Sequence, residues 1–266
     1  MTKKLFVVLE QGNKCNTSLS YEHKSQFNTD YCDWFRLNWR NDRNDKNASF
    51  FGEKIVWSEG RSLLYDKVRE QYEYFIFIDD DVQFVSKTTN DVAMELKTFF
   101  EKYRPLTGTV YGDNWAWNSH KTQIETDNKE AFPIMGHDLC CHYFQADFAE
   151  HIFPVYFHGS GRCMWYAQFI GHTLYPEKCL VVNTVYVKNT EHLPHSDKTN
   201  ESYNDPSSVT RQFSKMIKNE KHREEFNRWN DVSYVINKNK EIYTTIGVDM
   251  SKVEFTEEIL DSIIAK

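Results

Sequence analysis

The chain has no apolar run near the ~20 residues that a membrane-spanning helix needs. Its opening, MTKKLFVVLEQGNK, offers too short an apolar stretch for a secretory signal, so a cytoplasmic protein is the expectation. Metal-finger spacing is missing too. The six cysteines, among them the adjacent Cys140 and Cys141, are expected to be mostly reduced thiols. A surplus of positive charge is absent: 39 Asp and Glu against 32 Lys and Arg give a net charge of -7, which excludes a generic electrostatic nucleic-acid binder. One local exception is RLNWRNDRNDK (Arg36 to Lys46), a basic strip suited to a phosphate. No Gly-Lys-Ser or Gly-Lys-Thr run occurs, so a P-loop NTPase is excluded. There is also no internal repeat and no low-complexity linker. The 266 residues fit one large domain, or a core with an appended lobe.

What is present is apolar and aromatic. Hydrophobic residues make up 40% and aromatics 15%, enough for a thick core and for rings to stack on sugars or bases. KLFVVLE predicts a buried strand. The polar stretch from Gln11 to Ser49 predicts loops and a short helix, and KIVW (Lys54 to Trp57) a second strand. Ser58 is the candidate N-cap of an amphipathic helix carrying Leu64, Val68 and Tyr72. The strand YFIFI follows. Thr89 and Asn90 offer the cap for a helix with Val92, Leu96, Phe99, Phe100 and Tyr103 facing the core. GTVYGDNWAW, DLCCHYFQA and CLVVNTVYV predict further strands, with an apolar helix RCMWYAQFIGHTLY between the last two. Alternating strands and helices imply an α/β fold with a mixed, mostly parallel sheet flanked by helices. From about Asn200 the chain turns polar. Val209 to Arg228 is expected to be helical, followed by a weak hairpin and a terminal helix TEEILDSIIAK. The division expected is 1–199 for the catalytic domain and 200–266 for a small C-terminal extension packed on it.

The conspicuous feature is Tyr74 to Phe84, YFIFIDDDVQF, where an apolar strand runs into three aspartates. Such crowding of like charge calls for relief, and a bound cation is the expected source. Asp79 and Asp81 are two apart, so in extended backbone they face one side, roughly 7 Å apart at Cα. Open α/β sheets place ligands at strand C-terminal ends, and a carboxylate pair there suits Mg²⁺ or Mn²⁺. An EF-hand would require Gly where Phe84 stands and Glu where Asn90 stands. An aspartyl-phosphate phosphatase would place Thr or Val where Gln83 stands.

The unit SEGRSLLYDKVREQYEYFIFIDDDVQF resembles the glycosyltransferases of the GT-A fold: a Gly-Arg at a helix start, the helix, an apolar strand, then Asp-x-Asp. It covers Ser58 to Phe84, about a tenth of the chain. The resemblance implies a GT-A-like, Rossmann-like sheet and a nucleotide-sugar donor, with a UDP-sugar expected. Asp81 would hold Mn²⁺ or Mg²⁺, and Asp79 would hold the metal or the ribose. Asp80 would lie near the nucleotide, and Arg61 near the diphosphate or base. An ordinary solvated helix residue is the plain alternative for Arg61. A later histidine often completes such a metal site, and His192 is preferred to His195. Asp138, opening DLCCHYFQA, is the first candidate for the catalytic base, with Asp147 beyond that strand. The turn FHGSGRCMWYAQ carries no acidic residue, which departs from many inverting relatives and leaves retention open.

Other patterns weigh less. In GHDLCCHYF, alternation puts Asp138, Cys140 and His142 on one face, but a buried strand explains it better than zinc. Trp115 and Trp117 share a face and suit a sugar ring or plain core packing. The helix RQFSKMIKNEKHR (Arg211 to Arg223), like the basic strip, suits a phosphate-bearing acceptor, although the acceptor expected is a glycan rather than a nucleic acid. Two alternatives stand. One is a nucleotidyltransferase of similar fold, disfavoured because EQGNKCN holds only Gly12. The other is a non-catalytic nucleotide- or sugar-binding module.

Overall fold

A computed structural model of the chain describes residues 3–53, 55, 57–112, 130–133, 140–153, 171, 175–189, 214, 217 and 219–228. In chain order the elements are β1 (Lys4–Gly12), α1 (Ser18–Phe27), β2 (Cys32–Asn38), β3 (Phe50–Phe51), α2 (Trp57–Val68), β4 (Tyr72–Asp79), β5 (Val82–Ser86), α3 (Val92–Tyr103), β6 (Thr107–Gly112), β7 (Ala131–Pro133), β8 (Cys141–Gln145), α4 (Ala146–Ile152), β9 (Cys179–Asn189) and α5 (Glu220–Asn227). None of these helices is long and apolar enough to cross a membrane.

The strands form one mixed sheet in the order β3-β2-β1-β4-β8-β6-β9-β5, with β7 beside β9. β3, β2, β1 and β4 run parallel, and β8 enters antiparallel to β4. Alternation along β1 and β4 divides the apolar side chains between two layers. Val7, Leu9, Phe75 and Phe77 pack with α2, α4 and Phe226 of α5. Phe6, Val8, Tyr74, Ile76 and Ile78 pack with Phe27 of α1 and the apolar face of α3. A sheet buried on both faces explains why these strands are continuous apolar runs. The expected α/β architecture with flanking helices is borne out.

Several boundaries differ from the sequence reading, each for a local reason. Of the expected strand KIVW, Ile55 lies in no strand and Trp57 opens α2, where it and Arg61 lie one turn apart and the guanidinium stacks 4.0 Å from the indole, while Lys54 and Val56 lie outside the described residues. Ser58 is therefore inside the helix, not its cap. The stretch expected as loops and a short helix does hold that helix, α1, capped by Thr17, but it also contains the whole of β2. α3 starts one residue later than expected, because Asp91 caps it by accepting from the Met94 amide at 2.9 Å. Val209 to Arg228 is not one helix, since Asn219 caps a new start by accepting from His222 N at 3.2 Å. Ile217 and Phe226 from that region are buried in the core layer beside α2. The hairpin and helix expected beyond Arg228, and most of RCMWYAQFIGHTLY, lie outside the described residues.

One packing detail yields a prediction. A Cβ on Gly108 would stand 1.8 Å from the Leu180 carbonyl oxygen in the β6–β9 pairing. Gly108→Ala is expected to cost about 1–3 kcal/mol by forcing the strands apart. Urea unfolding checks this, and a midpoint equal to wild type would contradict it.

Candidate functional site

Parallel alignment gathers the C-terminal ends of β2, β1 and β4 at Asn38, Gly12 and Asp79, with Gln11 opposite both Leu37 and Asp79. Beyond Asp79 the chain turns through Asp80 and Asp81 and returns as β5. Asp79 and Asp80 take different directions, so their charges go to different partners.

Asp79 faces α2. Its Oδ1 accepts from Arg61 Nη2 and from Trp57 Nε1, both at 2.8 Å. Arg61 is fully buried. Its guanidinium lies against Trp57, 5.6 Å from the Phe77 ring, and 3.4 Å from Nδ1 of His142 on β8. Burial pulls its pKa below the ordinary arginine value, while the Asp79 charge acts the other way. Arg61 is thus no solvated helix residue. It grips Asp79 and does not present itself at the surface.

Asp80 faces β1. Its Oδ2 accepts from the Asn13 and Lys14 amides at 3.1 and 3.3 Å, and lies 3.4 Å from Arg36 Nη2. Arg36 is the second correction. Expected in an exposed basic strip, it is fully buried and also donates to Glu10, to Asp45 at 2.9 Å and to the Lys14 carbonyl. Only Arg40, Arg43 and Lys46 of the strip's cations remain exposed. Burial raises the Asp45 pKa, but hydrogen bonds from Arg36 and Asn38 outweigh it and hold the carboxyl below its usual value. Glu10 accepts from Arg36, Ser20, Trp34 and His23, a full set for a buried carboxylate. Two guanidinium groups therefore supply much of the relief that the sequence reading gave to a bound cation.

Asp81 is half-buried and completes the turn before Val82, which pairs with Asn189 at the end of β9. Among the described residues no three His, Cys, Asp or Glu side chains gather as a metal cage. That is compatible with Mg²⁺ or Mn²⁺ held by Asp81 and Asp79, because such ions take most of their oxygens from water and phosphate.

The structure thus brings Arg61, Asp79, Asp80 and Asp81 together. Asp138, His192, His195, His137, Trp115 and Trp117 lie outside the described residues. Asp147 is exposed in the first turn of α4, past Gln145, which pairs with Tyr74 far from Asp79. It does not belong to this site. In the former zinc candidate, Cys141 and His142 are fully buried, and burial pushes the Cys141 thiol up to about 12. Sequence reasoning did not place Glu10 or Trp57 at the site, and it weighed Gly12 and His142 only for other roles. The available signal was a charged residue closing one strand, Glu10, and another breaking the apolar alternation of β2, Arg36.

A single mixed sheet covered by helices on both faces is a GT-A-like fold. The solved structure of GalNAc-T7 with UDP, GalNAc and Mn²⁺ is similar to it, with a TM-score of 0.55 at 11% identity. That likeness covers 90% of this chain and 58% of the other, so the chain spans little over half the length of that protein. A glycosyltransferase involved in glycosylation of the major capsid of PBCV-1 (TM-score 0.37, 11% identity, 67% of this chain and 81% of that one) is a weaker likeness. So is a putative glucose-1-phosphate thymidylyltransferase from Bacillus anthracis (TM-score 0.32, 11% identity, 57% of this chain and 75% of that one). No family model and no curated protein matches the sequence.

Proposed function

We propose that the protein is a metal-dependent glycosyltransferase moving a sugar from a UDP-sugar to a hydroxyl acceptor, a glycan rather than a nucleic acid. The observation that carries this is the Asp79–Asp81 turn at the C-terminal edge of the parallel strands, with Asp79 anchored by buried Arg61. The GT-A-like fold supports it. Residues 1–199 are the catalytic domain and 200–266 its extension, acting in the cytoplasm.

Asp81 and the outward side of Asp79 would hold Mn²⁺ or Mg²⁺. When bound, such an ion offsets the negative charge that builds on the departing diphosphate. Arg61 holds Asp79 correctly turned through their ion pair, an indirect role in place of the direct phosphate contact first expected. His192 remains the candidate for a further ligand: Asn189 pairs with Val82, and three residues of chain span at most about 11 Å. Asp138 remains the candidate base, taking the proton of the acceptor hydroxyl as the new glycosidic bond forms.

The deciding experiment is a thermal-shift screen of nucleoside diphosphates and nucleotide sugars, with and without Mn²⁺. A ligand that binds only the native state adds about 2.7 kcal/mol of stability at 100 times its Kd and so raises the melting temperature. A Mn²⁺-dependent shift with a uridine nucleotide is expected. No shift with any nucleotide would end the proposal. Release of pyrophosphate from a nucleoside triphosphate and sugar phosphate would make the enzyme a nucleotidyltransferase instead.

A further inference from the structure

The middle aspartate takes part in a contact set that a metal-and-nucleotide scheme leaves unexplained. Asp80 Oδ2 accepts from Lys14 N, while Arg36 Nη2 donates to Lys14 O, so charged side chains hold both backbone polar groups of one exposed residue. Room for the Asp80 carboxylate exists because residue 12 is glycine: a Cβ there would lie 1.8 Å from Oδ2. Arg36 is itself fixed by Glu10 and Asp45. Asp45 Oδ1 accepts from Asn16 N at 3.4 Å, and Lys46 N donates to Asn16 Oδ1 at 2.9 Å. The loop from Gly12 to Asn16 is thereby pinned at both ends, at the same sheet edge as Asp79.

We propose that Asp80 is a positioning residue. With Arg36 and Gly12 it sets the β1–α1 loop in advance for the nucleotide of the donor, and it does not ligate the metal. The inference rests on the glycosyltransferase reading. Its physical basis is that a loop ordered during folding does not lose that freedom again on binding. Arg36, shared with Glu10 and Asp45, also offsets part of the Asp80 charge.

The test uses the full chain with UDP, GDP, ADP and CDP, each with Mn²⁺, by titration calorimetry. Mn²⁺ alone is followed by electron paramagnetic resonance, and amide hydrogen exchange is followed at Asn13 and Lys14. Asp80→Ala, and Gly12→Ala by expelling the carboxylate, are expected to weaken the best nucleotide about tenfold. Asp80→Asn keeps an oxygen for the two amides and the side chain's shape, so it folds and weakens binding by about threefold. Exchange at both amides speeds up, and affinity for Mn²⁺ alone does not change. Faster exchange with unchanged nucleotide affinity would show that the contacts serve loop structure only, and would overturn the inference. An equal loss of Mn²⁺ affinity would make Asp80 a ligand, and would also overturn it. If the wild type binds no nucleoside diphosphate, the glycosyltransferase reading falls and this inference with it. Wild-type binding with unaffected variants removes this inference alone.

Discussion

Asp81→Ala is expected to lower Mn²⁺-dependent hydrolysis of the donor by about a thousand-fold, equivalent to ~4 kcal/mol of lost transition-state stabilisation. The size follows from how the three aspartates are divided. Asp79 is bound by Arg61 and Trp57, and Asp80 by Arg36 and two loop amides. Asp79 cannot turn to replace Asp81 without giving up its ion pair with buried Arg61, nor Asp80 without giving up the two loop amides. Circular dichroism establishes that the variant is folded, and initial rates against Mn²⁺ concentration supply the comparison. A variant with wild-type rates would take Asp81 out of the site. By contrast, Asp79→Asn keeps hydrogen-bond capacity toward Arg61 and Trp57 while losing charge. Its loss of rate is expected to come with a loss of stability, because buried Arg61 then loses the Asp79 charge.

Arg36→Met is expected to destabilise the protein by about 3–5 kcal/mol, the usual result of removing one partner from a buried ion pair. Glu10 and Asp45 are both buried, and Arg36 contacts both. Without it, two carboxylates lack a cation in a dry setting. The sign of the pH dependence then differs between the proteins. In the wild type the Asp45 pKa is lowered, so its contribution is present above the unfolded value and fades as pH falls through the folded one. In the variant the buried carboxylates favour the neutral form, so the folded state takes up protons and gains stability as pH drops. The gap between the two proteins should narrow from pH 7 to pH 5 in urea titrations. A constant gap would mean that packing, not charge, causes the loss. Adding Glu10→Gln to Arg36→Met should restore part of the stability, and the double-mutant cycle measures how strongly the two side chains interact.

The basis for both predictions was only partly legible in the chain. Strands β1, β4 and β9 and helix α3 were readable, because burial on both faces of a sheet demands unbroken apolar runs and burial of one helix face demands a 3.6 period. The Asp79–Asp81 spacing and its place at a strand end were readable for the same local reason. Strand β2 was not: Arg36 breaks its apolar alternation, and only Glu10, Asp45 and Asp80, drawn from three other segments, make its burial tolerable. Nor could KIVW be assigned, since a β-branched pair favours a strand until Trp57 is needed one helical turn from Arg61. Only two residues separate β4 from β5, and yet β5 pairs with β9, which no local pattern encodes.

By itself, then, the sequence determined the layered α/β class and the position of the carboxylate turn, because each depends on side-chain periodicity within a single segment. Tertiary structure alone decided which aspartate faces Arg61, which faces Arg36, and why residue 12 has no side chain. Those outcomes depend on charges and space contributed by segments far apart in the chain, where hydrogen-bond partners are chosen by folding and not by spacing.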